Sequence, residues 1–266
     1  MNRDPMSFSM DMFAVKDKVA MITGANQGLG MYYAIALSKA GADIFIPHFT
    51  DDISEVKAAV EANGRKVGFC QGDLTDPIYR QQCVDECLAQ FGRIDVLVNN
   101  AGRNFAAPLI DFPDDQWKKV VDLQLEAVQY LSHIVAGVMA EQGGGKIINI
   151  ASALSFSADL NATAYTVAKH GIVGLTRSYA AELGKYNITC NAIAPGFFAT
   201  AMNDTIREAN PSLFNKVSDR IPLCNDGVWG DPFDLMGAVV FLSSPASDYI
   251  SGEIMVVDGG FKAIMI

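Results

Sequence analysis

Positive charge is scarce in this sequence, and so are long apolar runs. Lys and Arg together number 20 against 30 Asp and Glu, which gives a formal net charge of −10. Nucleic-acid binding needs a basic face, so we expect neither nucleic acid nor an anionic membrane surface as a partner. No apolar run reaches the length that spans a bilayer. Asp4, Pro5, Asp11 and Lys16 interrupt the N-terminal stretch, which lacks the continuous apolar core of a secretory signal.

Cysteine is scarce too, and its spacing forms no recognisable framework. The five cysteines are an odd number, and none of them forms a CxxC pair. Cys83 and Cys87 lie one helical turn apart, but no cluster of His or Cys accompanies them. This usage favours reduced, mostly buried thiols over disulfides or metal ligands. We therefore expect a cytoplasmic protein without a metal site.

Apolar segments are abundant, and they alternate between strand and helix patterns along the whole chain. Half of the 266 residues are hydrophobic, which is enough for one sizeable core. The predicted strands cover residues 18–23, 43–47, 66–70, 94–100, 146–152, 188–195 and 254–258. The predicted helices cover residues 31–40, 53–62, 77–91, 113–142, 162–184 and 232–243.

Near-continuous apolar strands that alternate with helices are typical of a parallel sheet covered on both faces. With right-handed crossovers, this pattern predicts an α/β fold: a single Rossmann-type, doubly wound domain over residues 1–266 with a mainly parallel seven-stranded sheet. We expect an irregular N-terminal extension at 1–16 and a substrate loop at about 196–229. Ligands of such folds bind beyond the carboxyl ends of the strands.

A glycine-rich turn, TGANQGLG (residues 23–30), follows the first predicted strand. Gly24, Gly28 and Gly30 permit a tight turn and expose backbone N–H groups, and the helix N-terminus that follows favours negative charge. Glycine alone often marks nothing more than a turn. Its position after the first strand of a βαβ unit nevertheless predicts a dinucleotide site.

The second predicted strand ends in IPHFTDD. In dinucleotide sites, the residues at this position distinguish NAD from NADP. The 2′-phosphate of NADP is usually bound by Arg or Lys, whereas the ribose 2′-hydroxyl of NAD usually hydrogen-bonds to a carboxylate. Asp51 and Asp52 would repel a phosphate, although no acid stands directly at the strand end. His48 could pair a phosphate if it were protonated, or it could be a surface turn residue. The sequence thus favours NAD(H) and does not exclude NADP(H).

Ser152, Tyr165 and Lys169 together carry the groups that proton transfer to or from a substrate needs. Ser152 ends the fifth predicted strand, and the next helix carries Tyr165 and Lys169 on one face at i, i+4 spacing. A phenol with an ordinary pKa near 10 is a poor acid–base catalyst at neutral pH. A nearby ammonium and an oxidised nicotinamide both favour the phenolate and lower that pKa. The hydroxyl of Ser152 can then hydrogen-bond a carbonyl or alkoxide oxygen.

With TGANQGLG, NNAG (99–102), YTVAK and PGFFAT (195–200) in this order, the chain resembles the short-chain dehydrogenase/reductase family. The resemblance runs from Lys18 to the terminal VVDGG. It implies that Tyr165 is the general acid/base, that Lys169 lowers its pKa and holds the nicotinamide ribose, and that Ser152 orients the substrate. The implied cofactor contacts are Gly24, Asn26, Gln27, Gly28, Leu29, Gly30, His48, Asp73, Leu74, Asn100, Ala101, Gly102, Tyr165, Lys169, Pro195, Gly196 and Thr200.

A closer similarity is to the sugar-acid branch of that family, the 2-dehydro-3-deoxy-D-gluconate 5-dehydrogenases and gluconate 5-dehydrogenases. It lies in GGKIINIASALSF (144–156), NAIAPG (191–196), DRIP (219–222) and WGDPFDLMGAVVFLSSPASDYISG (229–252). LCNDGV (223–228) departs from the branch because it is longer and lacks its usual Arg. The resemblance implies alcohol–ketone conversion on a small carboxylated sugar by a homotetramer. A reductase of a less polar carbonyl compound, and a catalytically weak dinucleotide-binding protein, remain alternatives.

A carboxylated substrate needs a cation or several donors. Arg103 directly follows NNAG, and Arg207 and Arg220 lie in or near the loop after the sixth strand. Any of them could instead be a solvated or intersubunit arginine. The candidate substrate-binding residues are Arg103, Ser152, Phe197, Met202 and Arg220.

Gln124 is the one polar residue on a predicted apolar helix stripe that includes Trp117, Val121 and Val128. A buried amide must be paired, and the family resemblance, which aligns Gln124 with an active-site residue, implies that it faces the active site. The family resemblance implies Asn at this position, holding a water that connects to the lysine. Gln124 is therefore a candidate catalytic residue whose extra methylene could displace that water.

Overall fold

A computed structural model describes residues 4–200, 211–223 and 229–264 and shows one seven-stranded sheet with helices on both faces. The strands are β1 (Val19–Ile22), β2 (Asp43–His48), β3 (Val67–Gln71), β4 (Val96–Asn99), β5 (Gly145–Ile150), β6 (Ile188–Pro195) and β7 (Ile254–Val257). The described helices are α1 (Gly28–Lys39), α2 (Ser54–Ala62), α3 (Pro77–Phe91), α4 (Asp114–Val121), α5 (Ala127–Glu141), α6 (Thr163–Leu183), α7 (Pro211–Ser218) and α8 (Met236–Ser243).

The strand order is β3-β2-β1-β4-β5-β6-β7, and every neighbouring pair is parallel. The predicted doubly wound Rossmann-type sheet is thereby confirmed, and it is wholly rather than mainly parallel. The direction of winding changes between β1 and β4. In an open parallel sheet, that change leaves a crevice at the carboxyl ends of the two strands. The glycine turn and NNAG both lie there.

Alternate residues of the central strands pack in two different core clusters. Ile22, Val98 and Ile148 pack in the cluster that includes side chains of α1 and α8, whereas their chain neighbours pack in the cluster that includes side chains of α3 and α5. This is the two-residue period of a strand with both faces buried, which explains the near-continuous apolar runs. Among the described residues, no helix has both the length and the apolarity to cross a membrane.

The helix predicted over 113–142 is not one regular helix. Residues Asp122–Glu126 form a π-helical turn between α4 and α5. A π turn closes its hydrogen bonds over one more residue than an α turn, so the apolar faces of α4 and α5 are out of phase. The stripe predicted through Trp117 and Val121 is therefore wrong for α4: Val120 is fully buried, and Trp117 is 39% exposed. From Gln124 onwards, Val128, Leu131 and Val135 are buried as predicted.

Several boundaries also differ from the prediction. Helix α1 begins at Gly28 rather than Met31, so it includes the last three residues of the glycine turn. The substrate loop, predicted at about 196–229 as irregular with some helical pattern, contains α7, while residues 201–210 and 224–228 lie outside the described residues. The N-terminal extension forms short 3₁₀ turns at Pro5–Ser7 and Met10–Phe13.

Candidate active site

The glycine turn between β1 and α1 has the geometry of an anion site. Gly24 and Gly28 have φ angles of +64° and +55°, in the left-handed region that side chains disfavour. Gly30 is needed for packing, because a Cβ there would lie 2.5 Å from Asn100 Nδ2 and 2.8 Å from the Ala25 Cα. Gln27 precedes α1 without a side-chain cap, so no side chain of that residue occupies the helix N-terminus.

The NNAG segment is held against this turn. Thr23 Oγ1 accepts hydrogen bonds from the backbone N–H groups of Asn100 and Ala101, both at 3.0 Å. The Asn100 side chain donates to the Thr23 carbonyl at 2.9 Å. Asn99 points into the sheet, where its amide donates to Ser132 and Asn149. The ends of β1 and β4 are therefore fixed relative to each other.

The end of β2 carries acidic residues and a buried histidine. His48 is 6% exposed, its Nδ1 lies 2.8 Å from the Thr50 carbonyl, and its ring meets Phe69 edge-on. The alternative that His48 is a surface turn residue is therefore wrong. The side-chain amide of Asn26 donates to Thr50 Oγ1 at 2.7 Å, and Asp52 accepts from Ser54.

The turn after β5 presents the candidate serine. Ser152 lies two residues beyond the strand and begins a 3₁₀ turn over Ala153–Ser155. Its Oγ accepts from the Leu154 N–H at 3.1 Å, which leaves its own hydroxyl proton to be donated. Ser155 accepts from the Ser152 N–H and donates to the Lys169 carbonyl at 2.8 Å. Ser155 thus ties the serine turn to α6.

Helix α6 brings Tyr165 and Lys169 to the same turn. Although burial raises the pKa of the Tyr165 phenol, the Ser152 side chain acts on this phenol to lower that pKa. Lys169 is 5% exposed, and its Nζ donates to the Ile150 carbonyl at 2.6 Å and lies 5.5 Å from the centre of the Tyr165 ring. The three residues predicted from the sequence therefore lie together at the carboxyl edge of the sheet.

The electrostatics of this cluster differ from the expectation that Lys169 lowers the pKa of Tyr165. Burial raises the pKa of Tyr165 above its ordinary value, and the side chain of Ser152 opposes that rise. Burial lowers the pKa of Lys169 to about 7, because its ammonium has left water for a site without a carboxylate partner in the part of the chain that the structure describes. A phenol that keeps its proton near neutrality can act as an acid toward a carbonyl oxygen.

Gln124 points inward, as predicted. It lies in the π turn, and it is 2% exposed. Its amide donates to the backbone carbonyl of Arg103 at 2.5 Å. The described contact is therefore with the segment after NNAG, whereas Lys169 bonds to β5.

Comparison with known proteins places this geometry in a family. Residues 24–262 match a family model described as enoyl-(acyl carrier protein) reductase, within the short-chain dehydrogenase/reductases. Over 255 residues, the chain is 45% identical to the uncharacterized oxidoreductase YgcW of Escherichia coli (strain K12), with 96% of each chain covered. It is 40% identical to 2-dehydro-3-deoxy-D-gluconate 5-dehydrogenase of Dickeya dadantii (strain 3937), covering 96% of this chain and 99% of that relative.

The chain is a short-chain dehydrogenase/reductase. Solved structures agree with this assignment. Gluconate 5-dehydrogenase of Burkholderia cenocepacia J2315, in complex with NADP and tartrate, has a TM-score of 0.89 at 32% identity over 96% of this chain and 99% of that one. Acetoin dehydrogenase of Enterobacter cloacae has a TM-score of 0.83 at 36% identity, over 94% and 97%. The protein is thus an oxidoreductase that uses a nicotinamide dinucleotide.

The glycine turn of this enzyme fits such a dinucleotide. A Cβ at Gly28 would meet no atom within 4 Å, so the space beside the N-terminus of α1 is open to a phosphate. Leu29 follows it in the first turn of α1, and Asp73 and Leu74 follow β3 at the same edge of the sheet. Pro195 ends β6 and Gly196 follows it, where a Cβ at Gly196 would lie 2.6 Å from that of Asp258. Thr200 closes this described stretch.

The candidate substrate-binding residues are farther apart in the structure than the candidate catalytic residues, which form one cluster. Arg103 is exposed and donates to Gln116 at 3.2 Å, and Arg220 lies over the Phe261 ring at 4.7 Å. Phe197 packs against Trp229 and Phe261 at 5.1 Å each. Met202 and Arg207 lie outside the described residues.

One cation near the serine turn could not be found from the sequence. The ammonium of Lys262, in the C-terminal segment, lies 3.4 Å from the ring centre of Phe156, which follows the serine turn. No motif marks Lys262, because its position depends on the packing of a segment more than 100 residues away in the chain. Among the described residues, no group of three His, Cys, Asp or Glu side chains could hold a metal ion.

Proposed function

We propose that this enzyme interconverts a secondary alcohol and a ketone on a sugar acid. The observation that carries the proposal is that Ser155 ties the Ser152 turn to α6, so that Ser152, Tyr165 and Lys169 lie together at the edge of the sheet where the glycine turn lies. The sugar-acid substrate is supported by the relatives named for keto-deoxygluconate and gluconate. It is also supported by cations on both sides of this edge, Arg103 after β4 and Lys262 beside Phe156.

Tyr165, Ser152 and Lys169 have different roles in the proposed proton transfer. When it is bound, the nicotinamide supplies or accepts the hydride. In the direction of reduction, the Tyr165 hydroxyl gives its proton to the carbonyl oxygen of the substrate, and Ser152 donates a hydrogen bond to the same oxygen. In the direction of oxidation, Tyr165 takes the proton back from the alcohol. Lys169 provides positive charge below this phenol when it is protonated.

The cofactor proposal is a preference for NAD(H). Asp51 and Asp52 follow β2, and among the described residues the positions 48–53 contain no Lys or Arg to meet a 2′-phosphate. The Nδ1 of His48 is already occupied by the Thr50 carbonyl. The NADP in the Burkholderia cenocepacia structure argues for the opposite preference. The cofactor is therefore tested together with the substrate.

A second candidate substrate is a small carbonyl compound without a carboxylate. The rings of Phe197, Trp229 and Phe261 form a cluster next to the end of β6. A solved structure of similar fold is an acetoin dehydrogenase. If these aromatic rings line the substrate pocket, a less polar ketone would be favoured.

One set of initial rates separates these possibilities. We expect kcat/KM for 5-keto-D-gluconate or 2-dehydro-3-deoxy-D-gluconate to exceed that for acetoin by at least ~10-fold, since one charge-assisted contact contributes about 1.5–3 kcal/mol. We expect NADH to be preferred over NADPH by a similar factor. Absorbance of the reduced nicotinamide measures both ratios. Preference for acetoin would establish the second candidate, and preference for NADPH would refute the cofactor proposal.

We further propose that the enzyme is a homotetramer in the cytoplasm. Leu125, Tyr130, Gly171, Gly174 and Leu175 line an open, largely apolar groove between the π turn, α5 and α6. This groove and the family resemblance support the tetramer. The cytoplasmic location is supported by the four described cysteines, whose thiols are free and buried.

The assembly proposal predicts a mass near four times 28.6 kDa by size-exclusion chromatography with light scattering. Replacing Tyr130 with glutamate would place a charge in the groove and is expected to give smaller species. A monomeric wild-type protein would contradict the proposal.

A further inference from the structure

Gln124 occupies an unusual place in the helix. It is the middle residue of the π turn, and its side chain is 2% exposed. Single π turns within helices occur frequently at functional sites. A buried carboxamide must also be paired to offset its lost hydration. The hydrogen-bond partner of the Gln124 amide therefore indicates the role of the π turn.

The Gln124 carboxamide lies against the backbone of Gly102 and Arg103. Its Nε2 donates to the carbonyl of Arg103 at 2.5 Å. Its Oε1 would lie 2.8 Å from a Cβ at Gly102, so the Gln124 side chain lies this close to the backbone only because position 102 is glycine. Gly102 and Arg103 directly follow the residues that are tied to Thr23.

The same helical run also holds the other end of Arg103. The guanidinium Nη2 donates to Oε1 of Gln116 at 3.2 Å, and Gln116 lies on α4, immediately before the π turn. Arg103 is thus held at its carbonyl by Gln124 and at its guanidinium by Gln116. Lys169, in contrast, donates to the Ile150 carbonyl, on another element.

We propose that Gln124 is a positioning residue that fixes the Arg103–Asn104 peptide through the Arg103 carbonyl and so directs the Arg103 guanidinium toward the carboxylate of the substrate. This inference rests on the proposed sugar-acid function. It assigns the Gln124 amide to substrate recognition, in place of the proton relay that the family resemblance implies. Glutamine suits this role because its side chain is one methylene longer than that of asparagine and so reaches the Arg103 carbonyl.

The two roles predict different kinetics. Loss of a positioning contact weakens binding of the carboxylate, so KM for the sugar acid rises while kcat and its pH profile stay the same. Loss of a proton relay lowers kcat and shifts its pH profile. Arg103→Ala removes the guanidinium but keeps the carbonyl. If Gln124 acts through Arg103, its substitution should have no further effect on KM in that background.

The experiment compares Gln124→Asn and Gln124→Met with the wild type, each also combined with Arg103→Ala. Gln124→Met keeps the length of the side chain and deletes the donor, so it serves if the asparagine variant folds poorly. The matched control is Gln82→Asn, which removes the same methylene from an exposed glutamine on α3. Thermal midpoints and the pH profile of kcat are measured alongside the rates.

We expect KM for the sugar acid to rise ~5- to 10-fold in both Gln124 variants, about the effect of one lost hydrogen bond or misplaced ion pair. In the Arg103→Ala background, this rise should disappear. A KM unchanged by both substitutions, a shifted pH profile of kcat, or a rise that persists without the guanidinium would overturn the inference. If the wild type turned over no sugar acid at all, the proposed function would fail first, which is a distinguishable result.

Discussion

Replacing Tyr165 with phenylalanine is expected to lower kcat ~10²- to 10⁴-fold in both directions, with KM for the substrate nearly unchanged. The substitution removes one oxygen, which is the atom that gives or takes the proton in the proposed reaction. The ring and its contact with Lys169 remain. Steady-state rates from the absorbance of the reduced nicotinamide measure the loss.

The matched control is Tyr249→Phe, because this tyrosine is fully exposed and belongs to no described contact of the site. Its kcat should equal that of the wild type. Unchanged activity of Tyr165→Phe would show that another group transfers the proton and would remove the basis of the assignment.

The raised pKa of Tyr165 also gives the reaction a pH dependence of known sign. The phenol keeps its proton at neutral pH, so carbonyl reduction has its acid available there and should slow only as the phenol deprotonates at high pH. Alcohol oxidation needs the phenolate and should become faster as pH rises. The control variant Tyr249→Phe should retain both profiles.

Replacing Lys169 with methionine is expected to lower kcat/KM by at least ~100-fold and to change how stability depends on pH. The variant keeps most of the packing but loses the only Nζ that the structure, over its described residues, places beside Tyr165. A buried ammonium is costly, and this cost explains why the pKa of Lys169 falls to about 7. The charge is thus a feature that stability alone does not favour.

The sign of the stability change follows from linkage. The pKa of Lys169 is about 7 in the folded chain, against 10.5 for an ordinary lysine. Between these values the unfolded chain binds a proton that the folded chain does not, so this lysine makes stability rise with pH. Below about pH 7 both states are charged, and the folded state bears the full desolvation cost.

Denaturant unfolding at several pH values measures this contribution. The increase in unfolding free energy of the wild type from about pH 7 to about pH 10 should be smaller in Lys169→Met. An equal increase in both proteins would contradict the burial of this ammonium. Loss of activity together with an unchanged fold would show that Lys169 serves the reaction rather than the stability of α6.

The sequence was sufficient to predict those parts of the fold and site that depend on local patterns. Strand periodicity, glycines and the i, i+4 spacing of Tyr165 and Lys169 are properties of short segments, and the predicted α/β sheet with its carboxyl-edge cluster is present. The π turn was not predictable in the same way. Its residues continue an apolar pattern that an α-helix also fits, and Trp117 was therefore placed on the wrong face.

Contacts between segments that are distant in the chain could not be predicted from the sequence. His48 follows the predicted strand 43–47 like an ordinary turn residue, but it is the last residue of β2, and its ring contacts Phe69 while its Nδ1 contacts the Thr50 carbonyl. Lys262 reaches Phe156 through the fold of the C-terminal segment. The pKa values of Tyr165 and Lys169 likewise depend on burial, which residue spacing does not give.

The account rests on hydride transfer to a sugar acid at the Ser152–Tyr165–Lys169 cluster. Its most direct test is to incubate the enzyme with 5-keto-D-gluconate and NADH deuterated at the transferring position, and to weigh the product by mass spectrometry. The account predicts that the sugar acid gains one deuterium with the wild-type enzyme and essentially none over the same period with Tyr165→Phe. Product without deuterium, or no consumption of cofactor by the wild type with any sugar acid, would contradict it.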